Sequence, residues 1–490
     1  MEGDYIMKKI CILMCFVLMI SLLSGCGKKE EPATNDGAVT EENTNTEAEG
    51  TDAAAEKVTL KLGIWPEDTL TDDIKLHEGY VKTFNAAHPN VEVVPAYYKY
   101  ATDTFVSLAE SGNLPTIFES WYTEPQKLIN GGFVADITDI LEERGWLDAI
   151  NPSISDLLSK DGRIYGIPRD GYALGLMLNV ELFEEAGLVD DNGVPKYPKT
   201  WTELAETAKA IKDATGQAGI CLLAKDNAGG WHFSNIAWAF GATLTEQGTD
   251  GKFTANVDSK EAIAAMEYVK SLKWKYDVLT PDPTNEDWGT GFVNLGTGTA
   301  AMYIAANDAV NQPTQVNGLP VDKLSLVPLP AGPDGQQYSL SGGTPYMFSK
   351  DATKEEIEAA LDYLEIMGKA PVATEDAIAG MKADNQNKIN NGVPVIPRFP
   401  CWINEDLLAA EKAVTDEFNN VDMKLYNDYY EAIKKEGNLR LEEVGSAQDL
   451  YAELTKVLQA VITDKNANVP ALMKQADENY QKLLDTNVNK

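Results

Sequence analysis

Basic residues are scarce in this chain. Lysine and arginine number 41 against 76 aspartates and glutamates over 490 residues, a formal charge of −35. The field of so acidic a surface opposes nucleic acid, anionic lipid headgroups and phosphorylated ligands unless a local basic pocket overrides it, and leaves neutral and cationic ligands unopposed. Histidine is scarcer still: His77, His88 and His232 fall in no H-E-x-x-H or other ligand spacing, which leaves a zinc hydrolase little to stand on. There is no G-x-S-x-G elbow and no P-loop, the glycine-bearing turns that a serine hydrolase or a nucleotide site of those classes needs. Five cysteines are too few for a disulfide scaffold, and a chain long enough for two or three domains buries its core without one. Cys221, inside the apolar run 219–224, reads as an inert core thiol.

Behind Lys8 and Lys9 an unbroken apolar run from Ile10 to Ile20 continues through Ser21 to Leu23, short for a bilayer span and about right for a signal-peptide core. Glu2 and Asp4 are foreign to a positive leader, which points to Met7 as an alternative start. The run closes as Leu23-Ser24-Gly25-Cys26; this resembles the bacterial lipobox, which implies cleavage before Cys26 and lipid attachment to its thiol. Gly27–Glu56 has no aromatic residue and no Leu, Ile or Met, so it can form no core and as a tether would reach roughly 30 Å. The expected order is a lipoprotein signal peptide over 1–25 and a lipidated cysteine with a disordered linker over 26–57. That places the protein outside the cytoplasm, anchored to the cell membrane by N-terminal lipid, as on a Gram-positive surface. Cys221 and Cys401 then remain as the thiols able to pair.

The body alternates strands and helices. Val58, Leu60, Leu62 and Ile64 alternate along a strand closed by Trp65-Pro66, and Leu76, Tyr80 and Phe84 follow at helical spacing before Pro89. Val91–Val94, a helix over 102–112 and Thr116–Ser120 complete a β-α-β-α-β order, which argues for a parallel sheet with right-handed crossovers. Capping boxes mark later helices at Thr200 with Glu203 and at Thr353 with Glu356. Another helix starts near Ala447, and no internal repeat is evident.

Several stretches carry a resemblance in a fixed order: Lys160-Asp161-Gly162-Arg163-Ile164-Tyr165-Gly166-Ile167-Pro168, then Asn179, Leu182–Leu188, Pro198–Leu204, Gly298–Met302 and Pro328–Gly335. Together they resemble the extracellular solute-binding proteins of ABC sugar importers, the maltose-binding-like family. Leu178, Val180 and Thr299 depart from its pattern. The resemblance implies an α/β fold of the two-lobed, type 2 periplasmic-binding kind, each lobe a mixed, mostly parallel sheet flanked by helices, with hinge strands between. The lobes expected are 58–168 with about 343–395, and 169–342 with about 396–490, the C-terminal helices being able to pack on either lobe. The crossings are expected at 167–172, 341–345 and 394–400, where Pro and Gly set or permit special backbone angles.

A sugar cleft needs flat aromatic platforms beside directed polar groups, and in open α/β sheets ligands sit beyond the carboxyl ends of strands. Trp65, Trp121 and Tyr122 follow the first and third strands; Asp170 and Tyr172 lie on the first crossing. In the segment 229–241, about 100° per residue gathers Trp231, Asn235 and Trp238 on one face, which serves either a ligand wall or burial between two layers. By the resemblance, Trp288 and Asn307 also face the ligand, with Tyr346 and Trp402 as weaker candidates. The tyrosine pairs 97–98 and 429–430 read as packing rather than as an iron site.

The reading implied is an extracytoplasmic ABC-transporter subunit that captures a carbohydrate, an oligosaccharide by its tryptophans, and hands it to the membrane permease. No catalysis, cofactor or metal is expected, and the chain is expected to act as a monomer. The alternatives left open are a tethered glycoside hydrolase, since 76 acidic residues supply carboxylate pairs in any fold, and a glycan sensor or adhesin without a transporter.

Overall fold

The computed structural model describes residues 57–102 and 104–489; the segments expected to be a signal peptide, a lipidated Cys26 and a linker up to Glu56 lie outside them. Among the described residues no helix is long and apolar enough to cross a membrane.

β1 (Val58–Leu62), β2 (Val91–Pro95) and β3 (Ile117–Glu119) form where alternating apolar residues give the strand one face for a core. β2 and β3 flank β1 in parallel, with the helices Thr71–Ala87 and Phe105–Glu110 as crossovers. The first helix buries Tyr80 and Phe84 as the spacing predicts, but its third fully inward residue is His77, with Leu76 at the edge of the stripe. A short hairpin, β4 (Ser159–Lys160) and β5 (Arg163–Ile164), leads into the long strand β6 (Gly166–Asn179). A second hairpin, β7 (Thr245–Gln247) with β8 (Phe253–Ala255), stands apart; β9 (Met302–Ala306), β10 (Leu324–Val327), β11 (Ser339–Phe348) and β12 (Leu439–Arg440) complete the strands.

Eight strands form one sheet in the order β10-β6-β11-β3-β1-β2, with β9 also on β6 and β12 on β11. Pairing is parallel among β1, β2 and β3, whereas β6 and β11, which carry the sheet between the lobes, run antiparallel to each other. The core residues show the crossing directly. β6 contributes Ile167 to the core of the first lobe and Leu174, Leu176 and Leu178 to that of the second. β11 runs the other way, from Leu340 to Met347 and Phe348. In the second lobe the period of two sorts β9 between the two faces of the sheet, Met302, Ile304 and Ala306 into one core and Tyr303 and Ala305 into the other.

The two expected crossings at 167–172 and 341–345 are thus strands. Their register shifts between Thr344 and Pro345, where proline has no N–H to give the ladder. Backbones approach closely here: a Cβ on Gly343 would stand 2.6 Å from the Tyr122 ring, and one on Gly171 2.6 Å from Phe399. The third passage, 394–400, carries no regular strand; its prolines cannot serve a ladder. It still moves between lobes, since Val393 and Ile396 belong to a second-lobe core and Cys401 and Trp402 to the first-lobe core.

The helices after residue 396, left open between the lobes by the sequence, divide between the two cores. Leu407 and Val414 also pack into the first lobe, because the helix Glu405–Phe418 lies along the helix Glu375–Asn390. The second lobe resumes with Leu425 and ends with the helices Ala447–Thr463 and Val469–Asn487. Cys221 and Cys401 are free thiols buried in different cores.

Candidate functional site

The three passages between lobes border two adjoining cavities of about 290 and 330 Å³. Ile64 and Pro66 just past β1, Glu119 at the end of β3 and Tyr346 on β11 line one; Asn307 and Asp308 past β9, with the irregular passage 393–402, line the other. Asp73, Arg169, Asp170, Lys369 and Asp384 line both. The carboxyl ends of first-lobe strands therefore do face the site, as open α/β sheets require.

Charge dominates the lining. Arg169 donates to Glu119 Oε2 at 2.8 Å and to Asp170 Oδ2 at 2.6 Å. Burial alone would lower the Arg169 pKa, but Asp170 and Glu119 outweigh it and hold the guanidinium charged. Arg169 Nε and Asp170 Oδ1 are buried with no protein partner among the described residues, so polar capacity is left at the hinge strand itself. Asp384 Oδ2 accepts from Arg398 Nη2 and Lys388 Nζ, each at 2.8 Å. Burial pushes the Asp384 carboxyl up, and Lys388, Arg398 and Lys369 together bring it far below the usual carboxylate range. Across the cavity, Asp308 is raised to about 7 by the enclosing walls and the Asp170 charge, although its side chain remains open to the cleft. Lys369 is lowered to about 8 by burial and the neighbouring Arg398.

Of the residues predicted from sequence, Asp170, Asn307, Tyr346 and Trp402 line these cavities. Asn307 is nevertheless committed: its Oδ1 accepts from Tyr429 Oη at 2.9 Å and from Ala173 N. Trp402 is buried and donates from Nε1 to the Lys369 carbonyl at 3.2 Å.

The other candidates lie elsewhere. Tyr172, Trp231 and Trp288 form one aromatic group, with Trp231 edge-on to Trp288 at 5.3 Å and to Tyr172 at 6.2 Å. Trp231 Nε1 donates to Glu442 Oε1 at 3.3 Å, and Tyr451 Oη to Glu442 Oε2 at 2.5 Å. Trp121 is 42% exposed, edge-on to Tyr100 at 5.2 Å. Tyr122 is buried with an unpartnered hydroxyl, and Trp65 lies edge-on to His77 at 5.4 Å. Asn235 is fully buried, and its Oδ1 accepts from Leu340 N at 2.9 Å, tying its helix to β11. The helix Ala228–Ala239 is buried nearly all round, with Trp238 in the core and Ala228 and Trp231 partly open, which is the two-layer alternative.

Sequence reading missed Lys369, Asp384 and Arg398. The spacing of Asp384 and Lys388, four apart on one helix, carried a signal, and Arg398 sits in the flagged third passage. Lys369 follows the helix stop at Gly368, whose φ of 69° closes the helix Lys354–Ile366 while Lys369 N–H returns to Leu364 O at 2.8 Å.

The family model described as bacterial extracellular solute-binding protein matches residues 68–371. A binding protein of Brucella abortus is 27% identical over 297 residues, covering 58% of this chain and 66% of the relative, so the match spans just under two thirds of that protein's length. The arabinooligosaccharide-binding protein of Bacillus subtilis is 21% identical over 437 residues, with 84% and 86% covered. Among solved structures, maltose-bound MalE3 of T. maritima superposes with a TM-score of 0.65 at 20% identity, covering 88% of this chain and all of that one; this similarity shows the fold.

Proposed function

The chain belongs to the bacterial extracellular solute-binding protein family, and from that premise we propose that it captures a carbohydrate between its lobes and delivers it unaltered to an ABC permease. The observation that carries this reading is the placement of the cavities. Their walls come from both lobes and from all three passages between them, so a solute held there makes its full set of contacts only when the lobes are closed. The lining suits a polyol: Asp170 and Asp308 accept hydroxyl donors. The relative named for arabinooligosaccharide supports an oligosaccharide ligand.

The same reading holds that Cys26 carries lipid and that the linker lets the lobes stand clear of the membrane. It assigns no bond-breaking role to the cleft carboxylates. The test is a titration of the full chain with oligosaccharides, followed by tryptophan fluorescence and by product analysis. Saturable quenching with unchanged saccharide is expected. Turnover of the saccharide would sink capture in favour of hydrolysis.

A further inference from the structure

The cations around the cavities are not equivalent. Arg169 is taken by Glu119 and Asp170, while Arg398 and Lys388 both close on Asp384. Lys369 lines both cavities, yet among the described residues no hydrogen bond or ion pair reaches its ammonium. Its backbone is pinned at both ends, the N–H to Leu364 O at 2.8 Å and the carbonyl to Trp402 Nε1 at 3.2 Å. The side chain is thus presented to the cavity by a fixed turn. The ammonium feels Asp384 and Asp170 only through space, and its three donors face the cavity unspent.

The surroundings deepen the point. Three cations, Lys369, Lys388 and Arg398, act on the one Asp384 carboxylate, and burial raises the neighbouring Asp73 and Glu411 carboxyls on the same wall. Asp170 and Asp308, mutually repelling, hold the other side. We propose that the ligand is an acidic saccharide, whose oxyanion, a carboxylate or a phosphate, is received by Lys369 while its hydroxyls fall to Asp170 and Asp308. This rests on the carbohydrate-capture reading and specifies its substrate class.

Lys369, lowered to about 8, loses its charge as pH rises through that value, and acidic-ligand binding falls with it. The groups that face it do not imitate the effect in that range. Arg169, Arg398 and Asp384 stay charged, and His77, lowered to about 4, stays neutral. Glu411 and Cys401 are both raised by burial, and neither is relieved by removing the Lys369 charge. Asp308 titrates at about 7 on the opposite wall, so the measurement starts above it.

The experiment titrates the full chain with digalacturonate, its neutral methyl diester and glucose 6-phosphate, between about pH 7.5 and 9.5. An acidic ligand is expected to bind roughly ten-fold or more tighter than the ester at the lower pH, and to lose that advantage at the higher. Whichever acid is preferred identifies carboxylate or phosphate. Lys369→Met should abolish the preference, and Lys369→Arg should retain it. Equal binding of acid and ester, or a preference that survives in Lys369→Met with its melting point unchanged, overturns the inference and leaves capture standing. Failure of every saccharide, neutral or acidic, overturns capture and this inference together.

Discussion

Asp384 concentrates the electrostatics of the cleft in one carboxylate. Its side chain is 27% exposed and its Oδ2 holds both Arg398 and Lys388. Burial works against ionisation there, and the three surrounding cations outweigh it. The sign of the linkage follows: a carboxyl whose folded pKa lies below its unfolded value contributes stability that is present above the unfolded pKa and is lost as pH falls through the folded one. Asp384→Asn should therefore destabilise the protein at neutral pH by about 2 kcal/mol, less than for a fully enclosed pair because solvent reaches the group. The gap between the variant and the parent should narrow as pH falls below about 4, where the unfolded parent takes up the proton that the folded carboxyl still refuses. Urea unfolding at the two pH values measures it; a gap independent of pH would mean that the carboxylate charge is not what stabilises. At this scale sequence was a poor guide. Asp384, Lys369 and Arg398 come from a helix, a helix stop and an irregular passage brought together only by tertiary packing, and some residues it favoured are tied into the fold, as the buried Asn235 and Trp402 are.

Single elements were far more legible. Thr353 accepts from Glu356 N, and the Glu356 carboxylate accepts from Thr353 N, the reciprocal box that the spacing predicts. At Thr200 the box is only half formed: Thr200 Oγ1 accepts from Glu203 N, but the Glu203 carboxylate takes Lys199 N–H at 2.7 Å, one residue earlier. Local signals of this kind survive folding because the atoms involved are neighbours in the chain. Thr353→Ala should cost about 1 kcal/mol, and Thr353→Ser much less, since serine keeps the accepting oxygen. A urea midpoint unchanged by the alanine would show that the helix is held by its buried Ile357, Leu361 and Leu364 alone. Which lobe the C-terminal helices join was not legible. The helix Glu405–Phe418 packs into the first core, whereas the helix Ala447–Thr463 packs into the second. Hydrophobic spacing says that a helix has an inward stripe and not which core the stripe enters.

For the whole molecule, the paired passages β6 and β11 decide how ligand and stability are coupled. Each strand carries core residues of both lobes, so hinge motion must be taken up near Gly171, Gly342 and Gly343, where backbone and rings already crowd. A solute bound to one lobe alone would stabilise that lobe and leave closure unaffected; one bound to both stabilises the closed arrangement as a unit. At a hundred times its dissociation constant a ligand adds about 2.7 kcal/mol. Unfolding entropy of roughly 2.1 cal/mol/K per residue over the folded body gives close to 0.9 kcal/mol/K, so the melting point should rise by about 3 °C in a single calorimetric transition. A ligand that raises one of two separable transitions and leaves the other in place would show that its contacts lie in one lobe, and the cavities between the passages would then not be where it binds.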